Sequence, residues 1–186
     1  NYMTTGNTEI GVYNLGNVSS PTNSSITRDS TAFLSGGVAV ASEDEWYKAA
    51  YYKGGSTAAG YWKYAHQSDS ITTGDANYDN SVGAVTDVGT YSDDASYYGT
   101  FDQGGNVWEF SDTIIGSARV MRGGAWGSGE GNLQSLERHD DFPTGETAYL
   151  GFRVTSIEPI PEPSAYAAIL GCLGLSLAIV RRRIHR

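Results

Sequence analysis

Between positions 102 and 109 the chain reads DQGGNVWE. This places two carboxylates, Asp102 and Glu109, and the main-chain carbonyls of Gly105 and Val107 on one glycine-rich turn. Oxygen donors of this hardness and density suit Ca2+, which takes about six to eight oxygens in irregular geometry. The plain alternative is a solvated acidic turn without an ion. Softer metal chemistry lacks donors: there is one cysteine, Cys172, and the three histidines, His66, His139 and His185, are never spaced i, i+4. A disulfide framework, a cysteine zinc cluster and a helical two-histidine site are thereby excluded.

The elements that must hold these residues are short. With 186 residues there is room for one domain of ordinary size and a tail, and 24 glycines and 13 tyrosines predict many turns and few long helices. The strongest local signal is VASEDEWYKAAYYKGG. Ser42 is a good N-cap, Glu45 completes a capping box, and Glu43 and Asp44 sit where the helix dipole favours negative charge. A helix is expected over 43–52, ended by Gly54-Gly55, with Trp46 turned inward. Short β pieces are expected over 84–91. Beyond them, YGTFDQGGNVWEFSD, RVMRGGAW and YLGFRVTS read as strands and tight turns of one compact α+β unit.

The net charge is −9, and Arg181, Arg182, Arg183 and Arg186 fall in the last six residues. The rest therefore has eight basic residues against 21 acidic ones, a net −13. Such a surface repels phosphate backbones, which sets nucleic acid aside as a partner, and attracts divalent cations.

The C-terminal end carries its own signal. Residues 164–180, SAYAAILGCLGLSLAIV, contain no charge and stop at Arg181-Arg182-Arg183. Seventeen helical residues span about 25 Å, near the lower limit for a transmembrane helix, and the arginines mark the cytoplasmic side. The order Pro161-Glu162-Pro163, apolar helix, arginine cluster resembles the PEP-CTERM sorting signal of Gram-negative bacteria. That resemblance implies an exosortase-type protease as partner, export, anchoring on the outer face of the inner membrane, and delivery to the cell surface or extracellular matrix. The opening NYMTTGNTEIG shows no signal peptide and is read as a fragment's start.

Four pieces in order, Ser42-Glu43-Asp44-Glu45-Trp46, Gly105-Asn106-Val107-Trp108-Glu109-Phe110, Arg122-Gly123-Gly124-Ala125-Trp126 and Gly151-Phe152-Arg153, resemble the formylglycine-generating enzyme, or sulfatase-modifying factor, family. The resemblance implies a C-type-lectin-like α+β fold with little regular secondary structure, here with one C-terminal transmembrane helix. The chain then divides into 1–32, a partial domain start; 33–156, the family-like domain; 157–163, a linker; 164–180, the helix; and 181–186, a cytoplasmic tail. Active members oxidise a substrate cysteine with O2 and a copper ion held by two thiolates. Their positions fall here near Ser128 and Leu133, which cannot hold Cu(I). An iron-dependent branch needs clustered histidines, which this chain lacks. The resemblance also makes Asp102, Gly105, Val107 and Glu109 a calcium site. It places a second one at the Asn77 and Asn80 side chains with the Tyr78 and Val82 carbonyls. A polar surface near Trp126, Ser128, Arg138 and His139 corresponds to where the family receives a peptide; a solvated loop is the alternative.

The leading expectation is an exported, surface-sorted, non-catalytic, calcium-stabilised binding or structural module. One alternative is an enzyme of the formylglycine-generating or non-heme iron superfamily whose ligands lie further N-terminal. The other is a lectin-like, polysaccharide-binding module, for which exposed Tyr and Trp are the motive.

Overall fold

The computed structural model describes residues 1, 5–7, 11–13, 15, 26–56, 58–144 and 147–157. Among them the chain forms helix α1 (Ser30–Leu34), strand β1 (Ala39–Val40), helix α2 (Glu43–Tyr51) and strands β2 (Trp108–Ile115), β3 (Ala118–Arg122), β4 (His139–Asp141), β5 (Leu150–Phe152) and β6 (Val154–Thr155). A 3-10 turn at Glu130–Leu133 lies between β3 and β4. Short helices and short strands are both present, joined by long stretches of turn.

Helix α2 forms where its caps specify. The Ser42 side chain accepts from Glu45 N–H, the Glu45 side chain accepts from Ser42 N–H, and Tyr52 ends the helix in an extended conformation. Its buried face carries Trp46, Ala50 and Tyr51, which pack with Ala41 and Ala65. A second cluster joins Tyr64, Ala76, Tyr78 and Leu133, and a third joins Val12, Phe33 and Ala39.

The main sheet runs β4-β3-β2-β5, and β1 pairs separately with β6. β2 lies antiparallel to β3, with Glu109 opposite Arg122 and a register shift between Phe110 and Ile114; β5 joins β2 in parallel. Along β2 the buried positions are Glu109 and Ser111, while Trp108 and Phe110 are half-buried. The inward face of this strand is therefore polar, and each of its groups needs a partner.

Two expectations are corrected. The fold class had included a transmembrane helix, but no helix among the described residues is long and apolar enough to cross a membrane. The longest of them, α2, has nine residues and reaches about 14 Å, half of a hydrocarbon core of ~30 Å. The 164–180 segment, with Pro161, Glu162, Pro163 and Arg181 to Arg183, lies outside the described residues. Second, 84–91 forms no strand. Its backbone is bonded to side chains instead: Ala84 O accepts from Asn77, while Thr86 N–H donates to Asn106 and Thr86 O accepts from it.

Candidate functional site

The two turns proposed as metal sites meet. Gly105 has φ +78°, and a Cβ there would stand 2.3 Å from the carbonyl oxygen of Asn77, so the backbones approach as only glycine allows. Next to it Asn106, also left-handed at φ 61°, donates its N–H to the same carbonyl at 2.8 Å.

The Asn106 side chain organises this junction. Its Oδ1 accepts from Thr86 N–H (2.8 Å), which fixes which end of the amide is oxygen. Asn77 Nδ2 then donates to that Oδ1 (3.1 Å) and to Ala84 O (2.8 Å). With its nitrogen so committed, the side-chain oxygen Asn77 Oδ1 faces the other way, buried and without a hydrogen-bond partner among the described residues. A buried unsatisfied oxygen costs about 1–3 kcal/mol, and a hard cation or a water relieves that cost. Tyr78 is buried beside it, with its carbonyl accepting from Ser81 N–H, whereas Asn80 and Val82 are exposed.

The acidic pair is more committed. Glu109 is 5% exposed, and its Oε2 accepts from Trp46 Nε1 and Arg153 Nε, each at 2.6 Å. Burial raises its pKa, and the Arg153 charge and the Trp46 and Arg153 hydrogen bonds oppose this only in part. Asp102 uses Oδ2 to accept from Gly89 N–H (2.8 Å), and the Gly105 carbonyl accepts from Val107 N–H (2.8 Å). Oδ1 of Asp102 and Oε1 of Glu109 receive no hydrogen bond among the described residues. A guanidinium already neutralises Glu109, and Asn77 Oδ1 is the oxygen left buried without a partner. Among the described residues no group of three or more His, Cys, Asp or Glu side chains is placed to hold a metal ion.

A profile of the "Sulfatase-modifying factor enzyme 1-like domain" family (FGE-sulfatase) matches residues 24–157. The chain belongs to this family. Among solved structures, "Treponema denticola variable protein 1" superposes with a TM-score of 0.52 at 24% identity, over 66% of this chain and 49% of that one, a likeness of fold. "Structure of PvdO from Pseudomonas aeruginosa" gives 0.47 at 20% identity, over 64% and 52%. "Crystal Structure of CarF" gives 0.48 at 22%, over 72% and 52%. The chain spans about half the length of these structures. A comparison with curated proteins finds no match.

Against the sulfatase-modifying factor pattern, the two thiolate positions have other uses. Leu133 is fully buried in the cluster of Tyr64, Ala76 and Tyr78, and its carbonyl accepts from the Tyr51 hydroxyl. The Ser128 hydroxyl accepts from Ala125 N–H and its carbonyl from Asp79 N–H, so the residue closes a turn. A hydrocarbon and a committed hydroxyl do not fit copper.

The surface expected near Trp126, Ser128, Arg138 and His139 is divided among other tasks. Arg138 grips Glu43 with Nε (2.8 and 2.9 Å) and Nη2 (2.6 Å), and His139 packs on Trp108 at 4.6 Å while contacting Glu137. Glu43 also binds Arg122, which is 7% exposed and donates onward to the Ser135 and Glu137 carbonyls. Burial acts to raise the Glu43 pKa, but the guanidiniums of Arg138 and Arg122 hold it below the usual carboxylate range. Sequence reasoning missed this triad and the role of Asn106. The available signal for Asn106 was an Asn directly after Gly104-Gly105, a residue type that tolerates the left-handed conformation.

Proposed function

We propose that this chain is a non-catalytic binding or structural module of the sulfatase-modifying factor family, stabilised by calcium. The observation that carries the first half is Leu133, locked in the apolar core at one expected thiolate position, with Ser128 closing a turn at the other. With Cys172 the sole cysteine, and outside the four family motifs, no thiolate pair is available. The calcium half is supported by the unsatisfied side-chain oxygen Asn77 Oδ1, on the turn against which the backbone of Gly105 and Asn106 packs. The Pro161-Glu162-Pro163 motif and terminal arginines support export and surface display through an exosortase-type protease.

Two measurements test the reading. Aerobic incubation of the 186-residue chain with copper and a cysteine-containing sulfatase peptide should leave the peptide mass unchanged, and reproducible conversion of the thiol to an aldehyde would reject it. Calcium should raise the melting temperature: a ligand at a hundredfold over Kd adds about 2.7 kcal/mol. Asn77→Ala should remove most of that increase and Asp102→Ala part of it. Identical melting with calcium and with excess chelator rejects the calcium half.

A further inference from the structure

Helix α2 and the turn after it carry a run of aromatic rings that starts in the core and ends in solvent. Trp46 meets Tyr51 at 5.8 Å, Tyr51 meets Tyr47 at 5.1 Å and Tyr47 meets Tyr61 at 4.7 Å, all edge to face. From Tyr61 the run continues to Tyr52 at 6.2 Å, and Tyr52 then meets two neighbours contributed by a distant loop. Tyr97 is 5.4 Å away and perpendicular (86°), and Tyr98 is 5.8 Å away and stacked (20°). Each separation is that of a favourable aromatic pair. Anchored at one end, the outer rings are held in place before any ligand arrives.

We infer that Tyr61, Tyr97 and Tyr98 form a preformed angular cleft for an uncharged polysaccharide: Tyr97 and Tyr98 stand perpendicular at 5.2 Å (85°), so a sugar ring can lie on the face of one phenol and meet the edge of the next. This inference deepens the binding-module reading and rests on it. The three rings remain 45%, 49% and 50% exposed although each is packed on its neighbours. Tyr97 lies directly over Gly54, where a Cβ would come within 2.1 Å of the ring, so the glycine makes its seat. Tyr52 spends its hydroxyl on Ser56 O (3.0 Å), but the hydroxyls of Tyr61, Tyr97 and Tyr98 make no hydrogen bond among the described residues. Flat apolar faces rimmed by uncommitted donor-acceptor hydroxyls complement a pyranose ring, which has an apolar C–H face and hydroxyls at its edge. Pre-ordered tyrosines offer such contacts at little conformational cost.

Charge and area narrow the occupant. Lys53 sits over Trp62 at 4.4 Å and within 3.8 Å of Asp69, and Lys48 lies 5.8 Å over Tyr52, so the local cations are already engaged. On a chain of net charge −9 this disfavours an anionic polymer. Half of three tyrosine surfaces is roughly 300 Å2. That is well short of the ~800 Å2 per partner of a stable protein interface, and it suits a few sugar rings.

The test is affinity electrophoresis of the full 186-residue chain in native gels containing hydroxyethylcellulose, starch or galactomannan, with polygalacturonate as the anionic arm. Retardation is expected in at least one neutral gel and not in polygalacturonate. Tyr97→Ala/Tyr98→Ala should weaken it about tenfold or more, as loss of central aromatic anchors does. Tyr98→Phe keeps the ring packing and removes one hydroxyl, so it guards against misfolding of the double variant; it should weaken binding severalfold. The exposed Phe142, changed to Ser, should leave binding unchanged. Retardation by none of the neutral gels, equal retardation by polygalacturonate, or full binding by both tyrosine variants overturns the inference. Each of these leaves the binding-module reading standing, because that reading falls only to the thiol and calcium measurements.

Discussion

Replacing Glu43 with Gln tests the buried charge triad most directly. Glu43 and Arg122 are 8% and 7% exposed, and the carboxylate accepts from Arg122 Nε (2.9 Å) and Nη2 (2.5 Å) as well as from Arg138. Gln keeps one acceptor oxygen for Arg122 but turns an NH2 toward Arg138 and leaves two guanidiniums without a counter-charge. Breaking a buried ion pair costs about 3–5 kcal/mol. Arg138, whose side chain is 44% exposed, recovers part of its loss from solvent, and Arg122 keeps the Ser135 and Glu137 carbonyls. We therefore place the cost near the lower bound, about 3 kcal/mol, or a fall in melting temperature of roughly 6–12 °C for a chain of this size. The pH dependence supplies an independent check. Because the folded-state pKa of Glu43 is depressed, its contribution is present above the unfolded value of about 4.3 and is lost as pH falls through the lower folded value. Urea unfolding of parent and variant at pH 7 and below pH 4 should show a large gap that narrows in acid. A variant within about 0.5 kcal/mol of the parent at pH 7, or a gap that does not shrink in acid, refutes the argument.

Other substitutions probe neighbouring contacts. Gly105→Ala should destabilise by about 2 kcal/mol or more, measured by denaturant midpoint, because a Cβ would stand 2.3 Å from Asn77 O at φ +78°. Leu133→Ala should cost about 2–5 kcal/mol in the same assay, since the side chain is fully buried. Trp46→Phe removes a donor to Glu109 Oε2 and so raises further a carboxyl pKa that burial already lifts. A raised folded pKa favours the protonated form, so the variant's stability deficit should grow from pH 5 to pH 8; a deficit that does not vary with pH contradicts this.

What the sequence made legible was mostly local or carried by motif order. The capping box of Ser42 and Glu45 and the inward turn of Trp46 both follow from helical spacing, and both are in the structure. The family assignment came from four ordered motifs. Glu43 illustrates what local reasoning leaves out. Within its helix it is simply an acid at a positive helix end, yet its partners lie 79 and 95 residues away. Likewise Glu109 looked like a ligand on a turn, but the parallel pairing of β2 with β5, which returns Arg153 beside it, and the inward Trp46 of α2 bring it under a guanidinium and an indole. The 84–91 segment had strand-like composition, and side chains from Asn77 and Asn106 took its backbone groups, a competition that no period in the segment records.

The short β1-β6 pair has a consequence for how the domain tolerates added sequence. Ala39 pairs with Thr155 and Val40 with Val154, so two distant stretches of the chain are clasped antiparallel. The same pairing closes a loop of more than a hundred residues, yet doubling a loop's length costs only about 0.6 kcal/mol. Extra residues within exposed turns such as the one at Gly116 should therefore weaken the clasp very little, leaving such turns open to lengthening.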